Sequence, residues 1–168
     1  MNWPKIQLRK LLSNKAKSLN PAYSPSEVFR LYSIPGFDRR QPEILEGREI
    51  GSAKQILYPS DVLLSKIVPH IRRCWVVDRS PDEHQQIGSG EWMVFRSELI
   101  DPHYLSKVLV GDEFHQAFMR TVAGVGGSLL RARPAAVAEI EIPLPPLDEQ
   151  RRIAAVLDKA DALRRHRQ

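Results

Sequence analysis

Apolar and polar positions alternate in short blocks along this chain, and the period of each block predicts one element of secondary structure. Residues 28–34, 74–78, 91–96 and 137–142 combine β-branched or aromatic side chains with two-residue alternation, which predicts four strands. The apolar residues between positions 3 and 12 predict a strand that runs into a helical turn. Short strands of this kind need a partner sheet or helices to cover their apolar face.

Helical spacing follows in the second half of the chain. Asp101 and Pro102 are typical of an N-cap followed by the first helical residue, and Gly111 is typical of a helix end. Asp112 then begins a second helix. We therefore predict two consecutive helices on either side of Gly111.

The stretch from residue 142 to residue 168 has a different character from the rest of the chain. Three prolines between residues 143 and 146 end the preceding strand, and no Pro or Gly interrupts the sequence after them. We predict a helix with Asp148 as its N-cap. Its apolar side chains recur three and four positions apart, as coiled-coil a and d positions do, and we predict that they bind a partner: Ile153, Val156, Leu157, Ala160 and Leu163.

The segments between these elements are polar and rich in Gly, Pro, Ser and Arg. We predict loops there, at residues 13–25, 37–55, 81–90 and 121–133. The order of strands and helices is neither a regular βαβ alternation nor a hairpin meander, so it indicates an α+β fold. We predict an α+β domain over residues 1–147 and an amphipathic helix over residues 148–168.

Composition narrows the class of partner. The 168 residues carry a net charge of +5 and a pI near 9.6, which favours a polyanionic partner, but only +3 of that charge belongs to residues 1–147. A DNA-binding face must therefore come from clustered cations. The single cysteine, Cys74, indicates a reducing compartment, and no segment has the pattern of a signal peptide or a membrane span, so we expect a cytoplasmic protein.

Three motifs suggest chemistry, and each has a simpler explanation. Residues 101–104, Asp-Pro-His-Tyr, are similar to the Asp/Asn-Pro-Pro-Tyr motif of amino-methyltransferases, but helix capping explains the Asp-Pro pair better and no Gly-rich turn follows a strand to hold S-adenosylmethionine. Residues 126–128, Gly-Gly-Ser, lack the context of a phosphate loop; a close approach to DNA and a plain turn both stay open. The His and Cys residues lack metal-ligand spacing, and the helices around Gly111 are too apolar for a helix-turn-helix. We predict no catalytic residue, no metal and no cofactor.

The loops hold the side chains that nucleic-acid interfaces use. Arg, Lys, Gln, Ser and Gly bind phosphates, and Arg and Gln also read guanine and adenine edges. A solvated surface explains any single one of them, but their concentration in loops raises the chance that some touch DNA. The predicted DNA-binding residues are Arg39, Arg40, Gln41, Arg48, Ser52, Lys54, Ser65, Lys66, Arg72, Arg73, Gly127, Ser128 and Arg131.

Four segments resemble a known family when they are taken in order. Residues 142–153, IPLPPLDEQRRI, resemble the (I/V)PLPPLxEQxxI junction that closes a target recognition domain in the specificity subunits of type I restriction-modification enzymes. Residues 154–168 resemble the start of that family's spacer helix. Residues 58–66, YPSDVLLSK, are similar to its kGDiLlSk segment, with Pro-Ser where Lys-Gly is usual, and residues 126–131 occupy the place of its Gly-rich turn.

The resemblance implies a non-catalytic DNA reader. In that family each recognition domain reads one half of a bipartite target. Two long helices form an antiparallel coiled coil that separates the domains and docks the methyltransferase subunits, which supply S-adenosylmethionine and methylate adenine, while another subunit translocates and cuts DNA. We therefore expect three partners: double-stranded DNA, a methyltransferase subunit and a restriction/translocase subunit.

Length is the departure from the family, whose members normally carry two recognition domains and two spacer helices. This chain carries one of each, so we expect its final helix to pack on its own domain, on a second copy or on a second half-subunit. Two functional hypotheses follow. The chain reads DNA sequence and directs an adenine methyltransferase to it, or it is a truncated or decoy subunit that binds the methyltransferase without reading DNA.

Overall fold

A computed structural model describes residues 2–13, 17–124 and 130–167 of the protein. Those residues form short strands, five α-helices and three single-turn 3-10 helices, in an α+β arrangement that confirms the predicted fold class. The strands are β1 (Lys5–Gln7), β2 (Ser18–Leu19), β3 (Val28–Tyr32), β4 (Glu43–Glu46), β5 (Lys54–Ile56), β6 (Val62–Ser65), β7 (Cys74–Val76), β8 (Gln85–Gly88), β9 (Trp92–Phe95), β10 (Val122–Ala123), β11 (Arg131–Ala132) and β12 (Glu141–Pro143). The α-helices are α1 (Ile34–Asp38), α2 (Pro102–Val110), α3 (Asp112–Met119), α4 (Pro134–Ala138) and α5 (Leu147–His166). None of the described helices is both long and apolar enough to cross a membrane.

The largest sheet has five strands in the order β2-β5-β8-β3-β4. Strands β3 and β8 run parallel, and every other pair in this sheet is antiparallel. One face of the sheet buries Phe29, Leu31 and Ile87 together with Ile50, which follows β4. These side chains alternate along β3 because successive residues of a strand point to opposite faces.

A second sheet of three strands, β7-β6-β9, carries the main core. Strand β6 is buried along its whole length, and helices α2 and α3 cover the sheet through Leu105, Leu109, Phe114 and Phe118. Strands β1 and β12 pair antiparallel, so the N-terminal and C-terminal segments of the domain lie side by side. Strands β10 and β11 also pair antiparallel. The β1–β12 pair contributes Ile6 and Ile142 to the same core.

Four aromatic side chains join the two sheets. The ring centroid of Trp75 lies 4.6 Å from that of Tyr32, 5.7 Å from that of Phe37 and 6.3 Å from that of Trp92. The indole Nε1 of Trp92 also donates a hydrogen bond of 2.7 Å to the carbonyl oxygen of Tyr32. Tilted and edge-to-face contacts of this kind add to the burial of the rings, so the end of β3 is firmly attached to the second sheet.

Helix α5 packs its first turns on the domain. Gln150 and Ala154 are buried, and farther along the helix Asp158 and Asp161 accept salt bridges of 2.8 and 2.7 Å from Lys107 of α2. The prediction that Asp148 caps the helix is wrong, because the N-cap residue is Pro146 and Asp148 lies in the first turn. There its carboxylate still interacts favourably with the helix dipole.

Several predicted loops contain sheet strands. Residues 37–55 include β4 and the start of β5, and residues 81–90 include β8, which is an inner strand of the five-stranded sheet. The predicted strand at 137–142 is shorter: Val137 lies in α4, which starts at Pro134, and only β12 is extended. The predicted strand at 28–34 ends at Tyr32, because Ser33 caps α1 and accepts a hydrogen bond from Gly36.

Candidate nucleic-acid interface

The register of the five-stranded sheet brings several predicted DNA-binding residues to one edge. Gln55 is aligned with Gly88, and Gly88 with Tyr32, while Leu31 is aligned with Glu43. The turn before β4 and the turn before β5 therefore lie beyond the same row of residues, at the edge where parallel strands β3 and β8 end. These turns and the first residue of β5 hold five of the predicted residues: Arg39, Arg40, Gln41, Ser52 and Lys54.

The turn between β8 and β9, residues 89–91, connects this edge to the second sheet. The side chain of Gln55 donates hydrogen bonds of 2.9 Å to the carbonyl oxygens of Ser89 and Trp92. On the other side, the backbone N–H of Lys66 donates to the carbonyl oxygen of Glu91 at 2.9 Å, and the Glu91 carboxylate pairs with Arg131. Predicted residues Lys66 and Arg131 thus stand beside the same turn.

The loop of residues 66–73 completes this surface. Arg73 at its end is buried and forms a two-pronged ion pair with Asp38 of α1, at 3.0 and 3.1 Å, which fixes the loop to the turn that carries Arg39 and Arg40. Val68 in the middle of the loop has φ 45°. A β-branched residue in the left-handed region is strained, and such strain concentrates in loops that bind ligands.

We call this surface the loop face and define it by residues 39–41, 52–54, 66–73 and 89–91 together with Arg131. Its exposed or half-exposed cations outnumber the carboxylates in it and next to it: Arg39, Arg40, Lys54, Lys66 and Arg131 lie near Glu43 and Glu91, while Arg72 is already paired with Asp112. Arg39 lies 3.6 Å from Glu43, and Arg131 pairs with Glu91. Among the described residues, the other three cations have no carboxylate within salt-bridge distance, so the face carries an excess of positive charge.

Burial shifts the pKa of one charged group in the loop face, and hydrogen bonding shifts the pKa of another next to it. Burial lowers the pKa of Lys54, whose ammonium group also donates to the Ser52 hydroxyl at 2.5 Å. The hydrogen bonds from Arg73 hold the pKa of Asp38 below its usual range. Asp38 therefore remains an anion at neutral pH and keeps Arg73 in place, while Lys54 loses solvation that a phosphate oxygen could replace.

Other predicted DNA-binding residues have structural partners. Ser65 is buried and its hydroxyl bonds to the backbone of Ile67, so it supports the loop from beneath, as Arg73 does. The Arg72 guanidinium donates to the carbonyl oxygen of Val110 at 3.0 Å and to Asp112 at 2.6 Å, so it links the loop to the junction of α2 and α3.

Arg48 lies away from the loop face, at the opposite end of β4. It donates to Glu46 at 2.7 Å, to the Ser26 hydroxyl at 3.3 Å and to the carbonyl oxygen of Pro25 at 3.3 Å. Its placement does not join it to the other predicted residues. Gly127 and Ser128 lie outside the described residues.

The predicted partner-binding residues of α5 divide into two groups. Ile153 packs against the main core and Ala160 is half-buried, so these two face the domain. Val156, Leu157 and Leu163 are exposed by 57, 41 and 56 %. The apolar residues predicted to form a single partner-binding seam therefore lie on two sides of the helix. One side is covered by the chain's own domain, and the other side is exposed.

The structure also places residues at or near the loop face that no pattern in the sequence had indicated as part of a site. The turn at residues 89–91 holds the loops together through backbone atoms, which no side-chain pattern indicates. Phe37 and Trp75 line a groove of about 500 Å³ between α1 and the last turns of α5, together with Arg40, Lys107, Asp161, Arg164 and Arg165. The basic residues at the end of α5 were visible in the sequence, but nothing indicated that Arg40 would lie opposite them.

The described residues contain no group of three or more His, Cys, Asp or Glu side chains that could hold a metal ion. The cap interpretation of residues 101–104 is confirmed, because the Asp101 carboxylate accepts a hydrogen bond of 2.9 Å from the backbone N–H of Tyr104 and Pro102 is the first helical residue. The Tyr104 hydroxyl donates to the carbonyl oxygen of Pro143 at 2.9 Å. This motif is thus part of the core.

Comparison with known proteins connects this geometry to a family. Residues 104–168 match the family model of the type I restriction modification DNA specificity domain. The whole fold is similar to the crystal structure of the HsdS subunit from Thermoanaerobacter tengcongensis, with a TM-score of 0.79 and 25% sequence identity over 98% of this chain and 44% of that one. The C-terminal part of this chain thus matches the model of this family, and its fold is similar to that of a type I specificity subunit. The resemblance predicted from the sequence is therefore confirmed.

Two further solved structures are similar to this chain. One, from work on complex assembly and conformational transition of the type I R-M system, has a TM-score of 0.78 and 25% identity over 98% of this chain and 44% of that one. The other, the S subunit of a type I restriction-modification system from M. genitalium, shares the fold, with a TM-score of 0.59 and 13% identity over 96% of this chain and 39% of that one. The chain thus spans less than half the length of these solved chains. A comparison with curated proteins gives no significant match.

Proposed function

We propose that this chain is a non-catalytic module that recognises one half of a bipartite DNA target in a type I restriction-modification system. The observation that carries the proposal is the loop face, where loops from both sheets converge with an excess of cations. The similarity to HsdS subunits supports it, because the fold that presents these loops is shared. We assign residues 1–147 to the recognition domain and residues 148–168 to the spacer helix.

Such a surface binds DNA through two kinds of contact: phosphate contacts, which position the protein, and base contacts, which read the sequence. Arg40, Lys54 and Lys66 have no acidic partner among the described residues and suit phosphate contacts, which set affinity without reading sequence. Arg131 and Gln41 are candidates for base contacts, since Arg pairs with guanine and Gln with adenine in the major groove. The ion pair between Arg131 and Glu91 would hold the guanidinium in a defined orientation before DNA binds.

Alanine substitutions distinguish these roles. We expect Arg131→Ala to cost about 1 to 3 kcal/mol on the preferred duplex and to relax preference at one position, and Lys66→Ala to weaken binding equally on all sequences. Arg48→Ala is the matched control, because this arginine lies away from the loop face. Fluorescence anisotropy with duplexes of defined sequence measures all three. Equal losses for the control and the loop-face variants would contradict the proposal.

The proposed partner of the exposed side of α5 is another protein subunit. Val156, Leu157 and Leu163 form an apolar stripe with no cover among the described residues. We propose that this stripe takes part in a coiled coil with a second copy or a second half-subunit and docks a methyltransferase subunit, to which a restriction and translocase subunit binds in turn. Sequencing of adenine methylation after co-expression with a methyltransferase subunit tests this, and Leu163→Glu should abolish methylation while DNA binding by the isolated chain persists.

The same exposed stripe also favours a second candidate function. A decoy subunit would keep the helix that binds a methyltransferase and would not read DNA. Salt-dependent and sequence-dependent DNA binding by the chain would exclude this alternative. Capture of a methyltransferase subunit without any DNA binding would support it and would refute the proposed recognition function.

A further inference from the structure

The groove between α1 and the end of α5 is lined by side chains that, apart from Arg40, do not belong to the loop face. Its floor is apolar and aromatic, formed by Phe37 and Trp75, and its volume is about 500 Å³. Arg40 stands on one side, and Arg164 and Arg165 stand on the other. Three guanidinium groups from two separate elements therefore surround one open groove.

Asp161, the one acidic residue among the described side chains that line the groove, is already neutralised. Asp161 accepts a salt bridge from Lys107 at 2.7 Å and is only 3.9 Å from Arg164. In residues 2–13, 17–124 and 130–167, no salt bridge within 4.0 Å involves Arg40 or Arg165. The groove therefore presents guanidinium groups that can bind an anion.

The position of Arg40 is fixed by an unusual backbone. Its φ is 61°, in the left-handed region, and its N–H donates to the carbonyl oxygen of Phe37 at 2.9 Å. Basic residues at the end of a helix are common because they interact well with its dipole, and that alone would explain Arg164 and Arg165. It does not explain an arginine held opposite them in a strained turn.

We infer that this groove is a phosphate-binding site, and that it takes the sugar–phosphate backbone of DNA that continues from the loop face onto α5. The inference rests on the proposed function. Arg40 belongs to both surfaces, because residues 39–41 are part of the loop face, so the two are continuous. One guanidinium group can donate two parallel hydrogen bonds to two oxygens of a phosphate. The apolar floor of the groove suits contact with the face of a deoxyribose.

The geometry favours DNA over an acidic protein surface as the occupant. The groove is continuous with the loop face at Arg40, whereas the exposed apolar stripe of α5 gives a protein partner its own surface at Val156, Leu157 and Leu163. DNA that bridges Arg40 and Arg165 connects the recognition domain to the spacer helix. Helix α5 therefore binds DNA as well as carrying the protein-facing stripe.

Salt dependence of binding tests this inference directly. The slope of log K against log salt falls by about 0.9 for each phosphate that the protein no longer neutralises. We expect Arg40→Gln and Arg165→Gln each to reduce the slope by about 0.9, equally on preferred and random duplexes, while Arg165→Lys keeps the parental slope. Arg151→Gln is the matched control, because Arg151 is an exposed arginine in the first turns of the same helix and lies outside the groove.

Each other outcome overturns the inference in a recognisable way. An unchanged slope for Arg40→Gln and Arg165→Gln, with a parent that binds DNA, refutes the groove site alone and leaves the loop face intact. A loss of affinity confined to one DNA sequence would mean that these arginines bind bases rather than phosphates. A loss of methyltransferase capture without a change in DNA binding would assign the groove to a protein partner. If the parent binds no DNA, the proposed function and this inference fail together.

Discussion

The junction between the recognition domain and α5 depends on one buried amide, that of Gln150. Only 1 % of Gln150 is exposed. Its side-chain oxygen accepts a hydrogen bond of 2.7 Å from the backbone N–H of Asp101, and its Nε2 donates one of 2.8 Å to the carbonyl oxygen of Pro145. One side chain thus connects the N-cap of α2 to the residues that lead into α5, and its replacement should weaken the whole junction.

The expected cost of Gln150→Leu follows from these two bonds. Leucine has a similar volume, so the cavity term is small, but both hydrogen bonds are removed at about 1 kcal/mol each. The N–H of Asp101 and the carbonyl oxygen of Pro145 are then left without partners, which adds about 1 kcal/mol. We expect a decrease of about 2 to 3 kcal/mol in the free energy of unfolding, which is a large share of the about 5–15 kcal/mol typical of a folded domain.

Urea unfolding measures this decrease through the midpoint and the slope of the transition. Gln116→Leu is the matched control, because Gln116 is exposed on α3 and its replacement should change the stability by less than about 0.5 kcal/mol. A Gln150→Leu protein within about 0.5 kcal/mol of the parent would refute the assignment of the junction to this amide. A smaller slope with two separate transitions would instead show that α5 unfolds by itself.

Three further changes probe the supporting structure. Gly47→Ala should destabilise the protein by at least about 1 to 3 kcal/mol in the same assay, because an added Cβ would stand 2.2 and 2.3 Å from two carbonyl oxygens; unchanged stability would contradict this packing. Asp61→Asn should cost about 2 kcal/mol, because Asp61 is fully buried and binds Arg96 through two bonds of 2.6 and 2.7 Å, with a discount for the partly exposed arginine; a neutral effect would contradict it. The hydrogen bond from Lys107 lowers the pKa of Asp161, so this ion pair stabilises the fold above about pH 4 and its contribution decreases as the pH falls further; Asp161→Asn should therefore lower stability at pH 7, and the difference from the parent should shrink as the pH falls below about 4, whereas a constant difference would contradict the linkage.

Helices and strands could be predicted from the sequence where neighbouring residues alone determine them. Helix α2 was predictable because Asp101 and Pro102 define its start and Gly111 its end, and β9 because its residues are apolar and β-branched or aromatic. Helix α5 was predictable from uninterrupted spacing, although its start was misplaced by taking Asp148 as the cap. In each case a few neighbouring residues decide the structure.

Tertiary contacts decided the elements that sequence reasoning missed. Strand β8 reads Gln-Gln-Ile-Gly and looks like a polar turn, yet Gln86 is buried because its side chain accepts a hydrogen bond from the Tyr32 hydroxyl and donates one to the carbonyl oxygen of Asp78. Tyr32 is 54 positions away in sequence and Asp78 is eight positions away, across a turn. A buried glutamine satisfied in this way cannot be inferred from its neighbours.

The candidate site was predictable in its residue types but not in its arrangement. The sequence indicates that arginines and lysines lie in loops, and it supplies no register between strands, so it cannot show that the turns before β4 and β5 meet the loop at 66–73. It also cannot distinguish Arg73, which is buried against Asp38, from Arg40, which is exposed. The excess charge of the loop face therefore emerges only from the fold.

Selection from a random pool of DNA duplexes shows whether this chain recognises a DNA sequence through the loop face. The chain is incubated with the pool at several salt concentrations, and the bound duplexes are sequenced over successive rounds, in parallel with a variant that replaces Arg39, Arg40 and Arg131 by Ala. We expect the parent to enrich one short sequence with an affinity that falls steeply with salt, and we expect the triple variant to enrich none. Recovery of an unenriched pool by the parent, or equal enrichment by the variant, would contradict the account.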